Sequence, residues 1–133
     1  MAAVINGHER ENRVFNESDW TDTSKTDYAY AKSKTLAEQA AWEFIRSAEN
    51  QKGMELVSVN PSNVFGPVLD NRHHTSTEWF GTLLRREIPG LTRTQLNIVD
   101  VRDVVEMIEQ AMITPEAAGK RFIANGASIP LRE

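Results

Sequence analysis

Tyr30 and Lys34 stand four residues apart, and Ala37, Ala41, Phe44 and Ala48 follow at intervals of three, four, three and four. In an α-helix that spacing lines all six along one stripe. Four of them are ordinary packing residues, and the other two are a phenol and an ammonium at the N-terminal end of the same stripe. A lysine on a packing face gives up hydration, so it needs a partner there. The phenol one turn away is such a partner. An ammonium beside a phenol favours the phenolate, and a phenol so placed can pass a proton to or from a substrate oxygen near neutral pH. A second Tyr-x-x-x-Lys pair, Tyr28 with Lys32, continues through Thr35, Gln39, Glu43 and Arg46, which reads as the solvated face. Tyr30 and Lys34 are therefore expected to face inward or into a cleft, and Tyr28 and Lys32 to face solvent. The spacing alone is weakly specific, because a tyrosine and a lysine four apart also arise by chance on helices.

The helix that carries the pair is expected over about residues 27–51, stopped at Gly53. A strand over 54–60 follows, bounded by Pro61. Residues 62–74 read as a loop holding Gly66-Pro67 and the adjacent His73 and His74. Thr75 and Glu78 have the spacing of a capping box. Trp79, Phe80, Leu83 and Leu84 then recur at helical spacing until Pro89-Gly90. A strand over 96–99 leads to Asp100 and Asp103, which read as helix caps rather than acid catalysts. Val104, Val105, Ile108, Ala111 and Met112 give the next helix its apolar face, and Thr114-Pro115 closes it. Residues 120–124 read as a strand and 128–133 as the start of a further element. The first two dozen residues are polar and irregular, while 2–5 read as the tail of a strand. Alternating helices and strands of this kind imply an α/β layer protein with crossover connections.

The chain has 133 residues, 40% of them hydrophobic and 26% charged, which excludes collagen-like, low-complexity and disordered classes. Cysteine is absent, so disulfide frameworks, thiolate metal sites and cysteine nucleophiles are excluded together. A net charge of −4 with both signs scattered argues against nucleic acid as a partner. No apolar run approaches the roughly 18–20 residues that cross a bilayer, so no membrane association is expected. The N-terminus lacks the pattern of a signal peptide, and a cytoplasmic location is expected. His73 and His74 with Glu78 could be drawn as metal ligands, but one histidine pair in a loop is no site without a third ligand of fitting geometry, so no metal site is expected.

Tyr30-Ala31-Lys32-Ser33-Lys34-Thr35-Leu36-Ala37-Glu38, followed by Ala41-Trp42-Glu43-Phe44, resembles the active-site helix of the extended short-chain dehydrogenase/reductases. The branch it is most similar to is dihydroflavonol-reductase-like, within the NAD-dependent epimerase/dehydratase superfamily. The resemblance continues through Val59-Asn60-Pro61-Ser62-Asn63-Val64-Phe65-Gly66-Pro67, through 97–104 and through 116–123. It implies that Tyr30 is the general acid or base and that Lys34 holds the nicotinamide ribose while favouring the phenolate. Pro61, Ser62, Asn63 and Val64 would lie along the nicotinamide. Ser76 would meet the cofactor phosphates, a role its place in a helix's first turn suits, with helix capping as the alternative. The implied cofactor is NADP or NAD, and the implied substrate is a small-molecule carbonyl.

The family's glycine-rich turn precedes all of these stretches. The glycines at 7, 53, 66, 81, 90, 119 and 126 do not have its spacing. The family's catalytic serine or threonine would fall just before Ala2-Ala3-Val4. The resemblance is thus to the C-terminal part of a reductase: residues 1–133 as a single partial domain, a partial Rossmann-type doubly wound sheet with pieces of the substrate lobe. Such a chain is expected to bind cofactor weakly alone, and to self-associate or pair with an N-terminal half. A fragment of a nucleotide-sugar epimerase or dehydratase is the same-class alternative. A non-catalytic remnant working as a binding or self-associating module is the alternative from a different class.

Overall fold

The computed structural model describes residues 1–8, 14–68, 75–87, 90 and 95–131, and within these the side chains of Thr75, Ser76, Thr77 and Trp79 lie outside the description. Two helices come first, α1 (Ala2–Ile5) and α2 (Ala29–Arg46), then strands β1 (Ser58–Pro61) and β2 (Asn63–Phe65). Helix α3 (Thr75–Leu84), strand β3 (Gln95–Asp100) and helix α4 (Val101–Ile113) follow. A 3-10 turn at Pro115–Ala117 leads to β4 (Arg121–Ala124) and β5 (Ala127–Pro130). The fold is mixed α/β. It divides into two compact units, Met1–Asn60 with Met107–Ile123, and Pro61–Glu106 with Ala124–Glu133. Among the described residues no helix is long and apolar enough to cross a membrane.

In the first unit α2 ends at Arg46, five residues before the expected stop. Side chains compete for the last backbone groups. Ser47 leaves the helix with φ −83° and ψ 162°, and its hydroxyl donates to the Phe44 carbonyl at 2.8 Å. The Asn50 amide donates to the carbonyls of Ile45 and Met54 at 3.1 and 2.9 Å and accepts the Met54 N–H at 2.8 Å. Short polar side chains offer the backbone such alternatives to helix, which periodicity of apolar residues does not register. Residues 2–5 form a single helical turn rather than the tail of a strand. Thr21 holds that turn: its hydroxyl donates to the Ala2 carbonyl at 2.7 Å and accepts the Asn6 N–H at 3.0 Å, and its own N–H donates to the Ala3 carbonyl at 3.0 Å. The turn packs on α2, with Ala3 and Val4 buried.

The inward stripe of α2 is Ala31, Thr35 and Trp42, all buried, together with Glu38. Glu38 is the hub of the unit. Its carboxylate accepts Arg121 Nε at 2.8 Å and Nη2 at 3.2 Å, the Ser58 hydroxyl at 2.6 Å, the Trp42 indole N–H at 3.3 Å and the Asn60 amide at 3.3 Å. Arg121 uses its remaining terminal nitrogen on the carbonyls of Glu17 and Asp19, at 2.7 and 2.8 Å, and lies 3.6 Å over the Trp20 ring. Both charged side chains are about nine-tenths buried. β1 pairs with β4 beside them as a two-stranded sheet. The strand expected over 54–60 is shorter, although the Gly119 N–H still reaches the Leu56 carbonyl at 2.9 Å.

In the second unit β3 is central, parallel to β2 with Val64 opposite Val99, and antiparallel to β5 with Leu96 opposite Ile129. β2 falls where a continuous loop was expected. Its three residues are strand because a distant partner supplies the ladder, and the Asn63 amide adds a bond to the Asn97 carbonyl at 2.8 Å. The chain leaves β2 through Gly66, at φ 152°, where a Cβ would sit 2.5 Å from Val101 Cγ1. Asp100 caps α4 as expected, its Oδ1 accepting the Arg102 N–H at 2.8 Å. The Arg102 guanidinium, 2.6 Å from Oδ2, and that N–H hold the carboxyl down to about 2. α3 ends at Leu84, two residues before Arg86 turns left-handed at φ 57°, and Phe80 packs edge-on against Phe65 at 5.6 Å.

Burial pushes the Glu38 carboxyl upward, but the hydrogen bonds from Arg121 and Ser58 and the charge of Arg121 outweigh it, and the result lies below the ordinary 4.5. A carboxylate depressed in the folded state stabilises the fold fully above its unfolded value. It loses that contribution as pH falls below 4.5 and through the folded value. Glu38→Gln is therefore expected to cost about 1–3 kcal/mol at pH 7, with the gap to the unsubstituted chain narrowing as pH drops below about 4.5. Urea unfolding at a series of pH values checks this, and a gap that stays constant with pH would contradict it.

Candidate functional site

The pair singled out by spacing sits in the first turns of α2. The helix begins after Tyr28, whose backbone is still extended (φ −74°, ψ 97°). The Tyr28 N–H donates to the hydroxyl of buried Thr26 at 3.2 Å, and the Tyr28 carbonyl accepts the Lys32 N–H at 3.1 Å. That cap fixes where the helix starts and hence where Tyr30 points. Tyr30 is 54% exposed and Lys34 is exposed, with the ammonium 5.6 Å from the centre of the Tyr30 ring. The Tyr28 ring also lies near Tyr30, 5.8 Å away and tilted by 43°.

Spacing does bring Tyr30 and Lys34 together. They were expected to face inward or into a cleft, and the inward alternative is excluded, because both are exposed. Ala37, Phe44 and Ala48 are exposed with them, while Ala41 is half-buried. The buried stripe has the expected period displaced by one residue: 31, 35, 38 and 42 in place of 30, 34, 37 and 41. Two polar residues occupy it because each has a partner. The Thr35 hydroxyl donates to the Ala31 carbonyl at 2.7 Å, and Glu38 is met by Arg121. A satisfied hydroxyl or carboxylate packs inside at little net cost, so sorting residues by polarity favoured the alanines instead. Lys32, expected in solvent, is half-buried, whereas Tyr28 is 57% exposed as expected. The approach of Tyr28 to Tyr30 was missed. Residues two apart diverge on a helix, and only the extended cap backbone lets these rings meet.

Pro61, Ser62, Asn63 and Val64 belong to the second unit. Pro61 closes β1, and Ser62 is the bend before β2, its N–H donating to the Ala124 carbonyl at 2.9 Å. The Ser62 hydroxyl oxygen is buried and has no hydrogen-bond partner among the described residues. Ser76 has its backbone in the first turn of α3, and its side chain lies outside the description. His73 and His74 lie outside the described residues, as does the Thr75 half of the expected capping box. Among the described residues no group of three or more His, Asp or Glu has metal-binding geometry. The cleft beside the ion pair is lined by Trp20, Trp42, Glu43, Arg46 and Arg121, and neither Tyr30 nor Lys34 contributes to it.

Residues 5–125 match the model of the NAD dependent epimerase/dehydratase family, and the chain belongs to that family. It is 34% identical to the NADPH-dependent methylglyoxal reductase of Saccharomyces cerevisiae, over 90% of this chain and 39% of that protein. It is 36% identical to dihydroflavonol 4-reductase of Arabidopsis thaliana, over 51% of this chain and 18% of that one. The crystal structure of yeast methylglyoxal/isovaleraldehyde reductase complexed with NADPH superposes with a TM-score of 0.76 at 31% identity. That match covers 96% of this chain and 41% of the other. The fold is that of part of a Rossmann-type reductase. The chain spans about two fifths of the length of the NADPH-dependent methylglyoxal reductase it matches.

Because Tyr30 and Lys34 project into solvent, Tyr30→Phe and Lys34→Gln are expected to leave the unfolding free energy within about 0.5 kcal/mol. Ala31→Leu, one residue from Tyr30 but buried, should cost about 1–3 kcal/mol by overpacking. Denaturant titrations of the three variants check the phase of the helix. A Lys34→Gln variant as unstable as Ala31→Leu would place the stripe where spacing first put it.

Proposed function

We propose that this chain supplies the proton-donating helix and the nicotinamide-side segment of an NADPH-dependent carbonyl reductase. On this reading it corresponds to the C-terminal part of such an enzyme, including pieces of the substrate lobe. One observation carries the reading: in a chain of this family, Tyr30 and Lys34 stand together on the exposed flank of α2.

NADPH, when bound, supplies the hydride. This chain's own part is to place and move the proton. Tyr30 donates its phenolic proton to the carbonyl oxygen as negative charge gathers there, giving the alcohol. Lys34 stabilises the phenolate left behind, since an ammonium this near favours the charged phenol. Lys34 also offers donors to the cofactor ribose. Pro61, Ser62, Asn63 and Val64 would lie along the nicotinamide, and Ser76 would serve the phosphates from a helix's first turn.

The test is a graft of residues 1–133 in place of the matching stretch of the yeast NADPH-dependent methylglyoxal reductase. Tyr30→Phe in that graft should lower turnover by about 10²–10⁴-fold while nearly preserving NADPH affinity. Lys34→Ala should impair both. Full turnover in Tyr30→Phe would refute the assignment.

The chain alone should behave differently. Ile108, Met112 and Ile113 of α4 are 43%, 82% and 66% exposed, beside a groove lined by Leu56, Val57 and Val59. On this reading the rest of a complete reductase covers that surface. The isolated chain is then expected to self-associate, because exposed apolar surface beside a two-stranded sheet favours pairing. It is also expected to bind NADPH no better than about millimolar, lacking the glycine-rich turn. Light scattering over a concentration series and calorimetry check both. A monodisperse monomer with micromolar NADPH affinity would contradict them.

A further inference from the structure

We infer that the buried Glu38–Arg121 pair is a positioning device for the Tyr30–Lys34 pair, fixing the rotation of α2 about its own axis; the inference rests on the function proposed above. Glu38 is one turn from Lys34 and two from Tyr30 on α2, so its azimuth sets theirs. Of the rest of the inward stripe, buried Trp42 resists rolling further along the helix, whereas Ala31 and Thr35, nearest Tyr30 and Lys34, are small, and the Thr35 hydroxyl bonds within α2 itself, to the Ala31 carbonyl. Small, self-satisfied residues by themselves let a helix roll by a fraction of a turn at modest cost. Glu38 removes that freedom because, besides Trp42 on its own helix, it has three partners outside it: Arg121 on β4, and Ser58 and Asn60 on β1.

Arg121 is itself immobile. Its fork is spent on Glu38, its Nη1 on the carbonyls of Glu17 and Asp19, and its face on Trp20. Rolling α2 would pull a carboxylate that is 11% exposed off a guanidinium that is 10% exposed, leaving two unpaired charges inside the protein. The displacement of the stripe by one residue, which brings Tyr30 and Lys34 to the surface, is held by this pair. Neither Glu38 nor Arg121 touches the reacting atoms. They act through the helix.

The absence of cysteine allows a direct test on this chain. Spin labels at Ser33→Cys on α2 and Glu116→Cys on the turn before β4, both exposed, report the setting of the helix within the first unit. Double electron–electron resonance should give one narrow distance distribution, which Arg121→Met broadens or shifts and Arg121→Lys partly restores. In the grafted reductase, Arg121→Met should lower kcat per folded molecule at least tenfold and raise the KM for NADPH, again with partial recovery in Arg121→Lys. A purely structural pair would lower only the folded fraction. An unchanged distance distribution in Arg121→Met overturns the inference whatever the graft does, and so does a wild-type kcat per folded molecule. Tyr30→Phe in the same graft separates the two ideas: if it retains turnover, the proposed function fails. If it loses turnover while Arg121→Met does not, only the positioning role fails.

Discussion

A two-pronged guanidinium–carboxylate contact, at 2.8 and 3.2 Å, ties together the segments of the first unit around it. Desolvating two charges is expensive, and their attraction offsets that cost only when geometry is good and the remaining lone pairs and protons are used. Here they are used. The carboxylate collects a hydroxyl, an amide and an indole N–H, and the guanidinium collects two carbonyls and an aromatic face. The partners come from stretches near residues 17–20, 38–42, 58–60 and 121, so four segments with little apolar surface of their own are joined through polar bonds. This fits a core whose fully buried members among the described residues are small, with Val4 and Thr35 the largest of them.

The same arrangement separates what stabilises α2 from what could react on it. Stability resides in Ala31, Thr35, Glu38 and Trp42, and Tyr30 and Lys34, the pair proposed to move the proton, lie on the adjoining flank, where a phenol and an ammonium keep contact with solvent. A proton donor sunk into a core would be stable and useless. Neighbouring flanks of one helix let each face keep its own chemistry.

Much of this was legible in the residues. The order of helices and strands followed from apolar spacing and from the breakers Gly53, Pro61 and Pro115, and Asp100 was read correctly as a cap. What escaped has a common cause. The single turn at 2–5 depends on Thr21, the shortened α2 on Ser47 and Asn50, and the phase of α2 on Arg121. In each case a polar group supplied from elsewhere decides the outcome, and a local pattern of apolar residues carries no record of it. β2 is the sheet counterpart, three residues made strand by a partner more than thirty positions away. Motif spacing found Tyr30 and Lys34 because four residues along a helix is a local quantity. Tyr28 was missed because its nearness to Tyr30 depends on one extended cap residue.

The first unit is discontinuous in the chain: Glu38 and Arg121 are separated by 83 residues, and the second unit lies largely between them. On the ribosome, at about 5–20 residues per second, some 4–17 s pass between synthesis of the acid and of its base. Throughout that interval α2 carries an unpaired carboxylate on the face it will later bury. Water must keep that carboxylate hydrated, which disfavours early burial of this face. The nascent helix thus stays uncommitted until Arg121 is made, and a chain released before that residue would lack the cation that lets the face close.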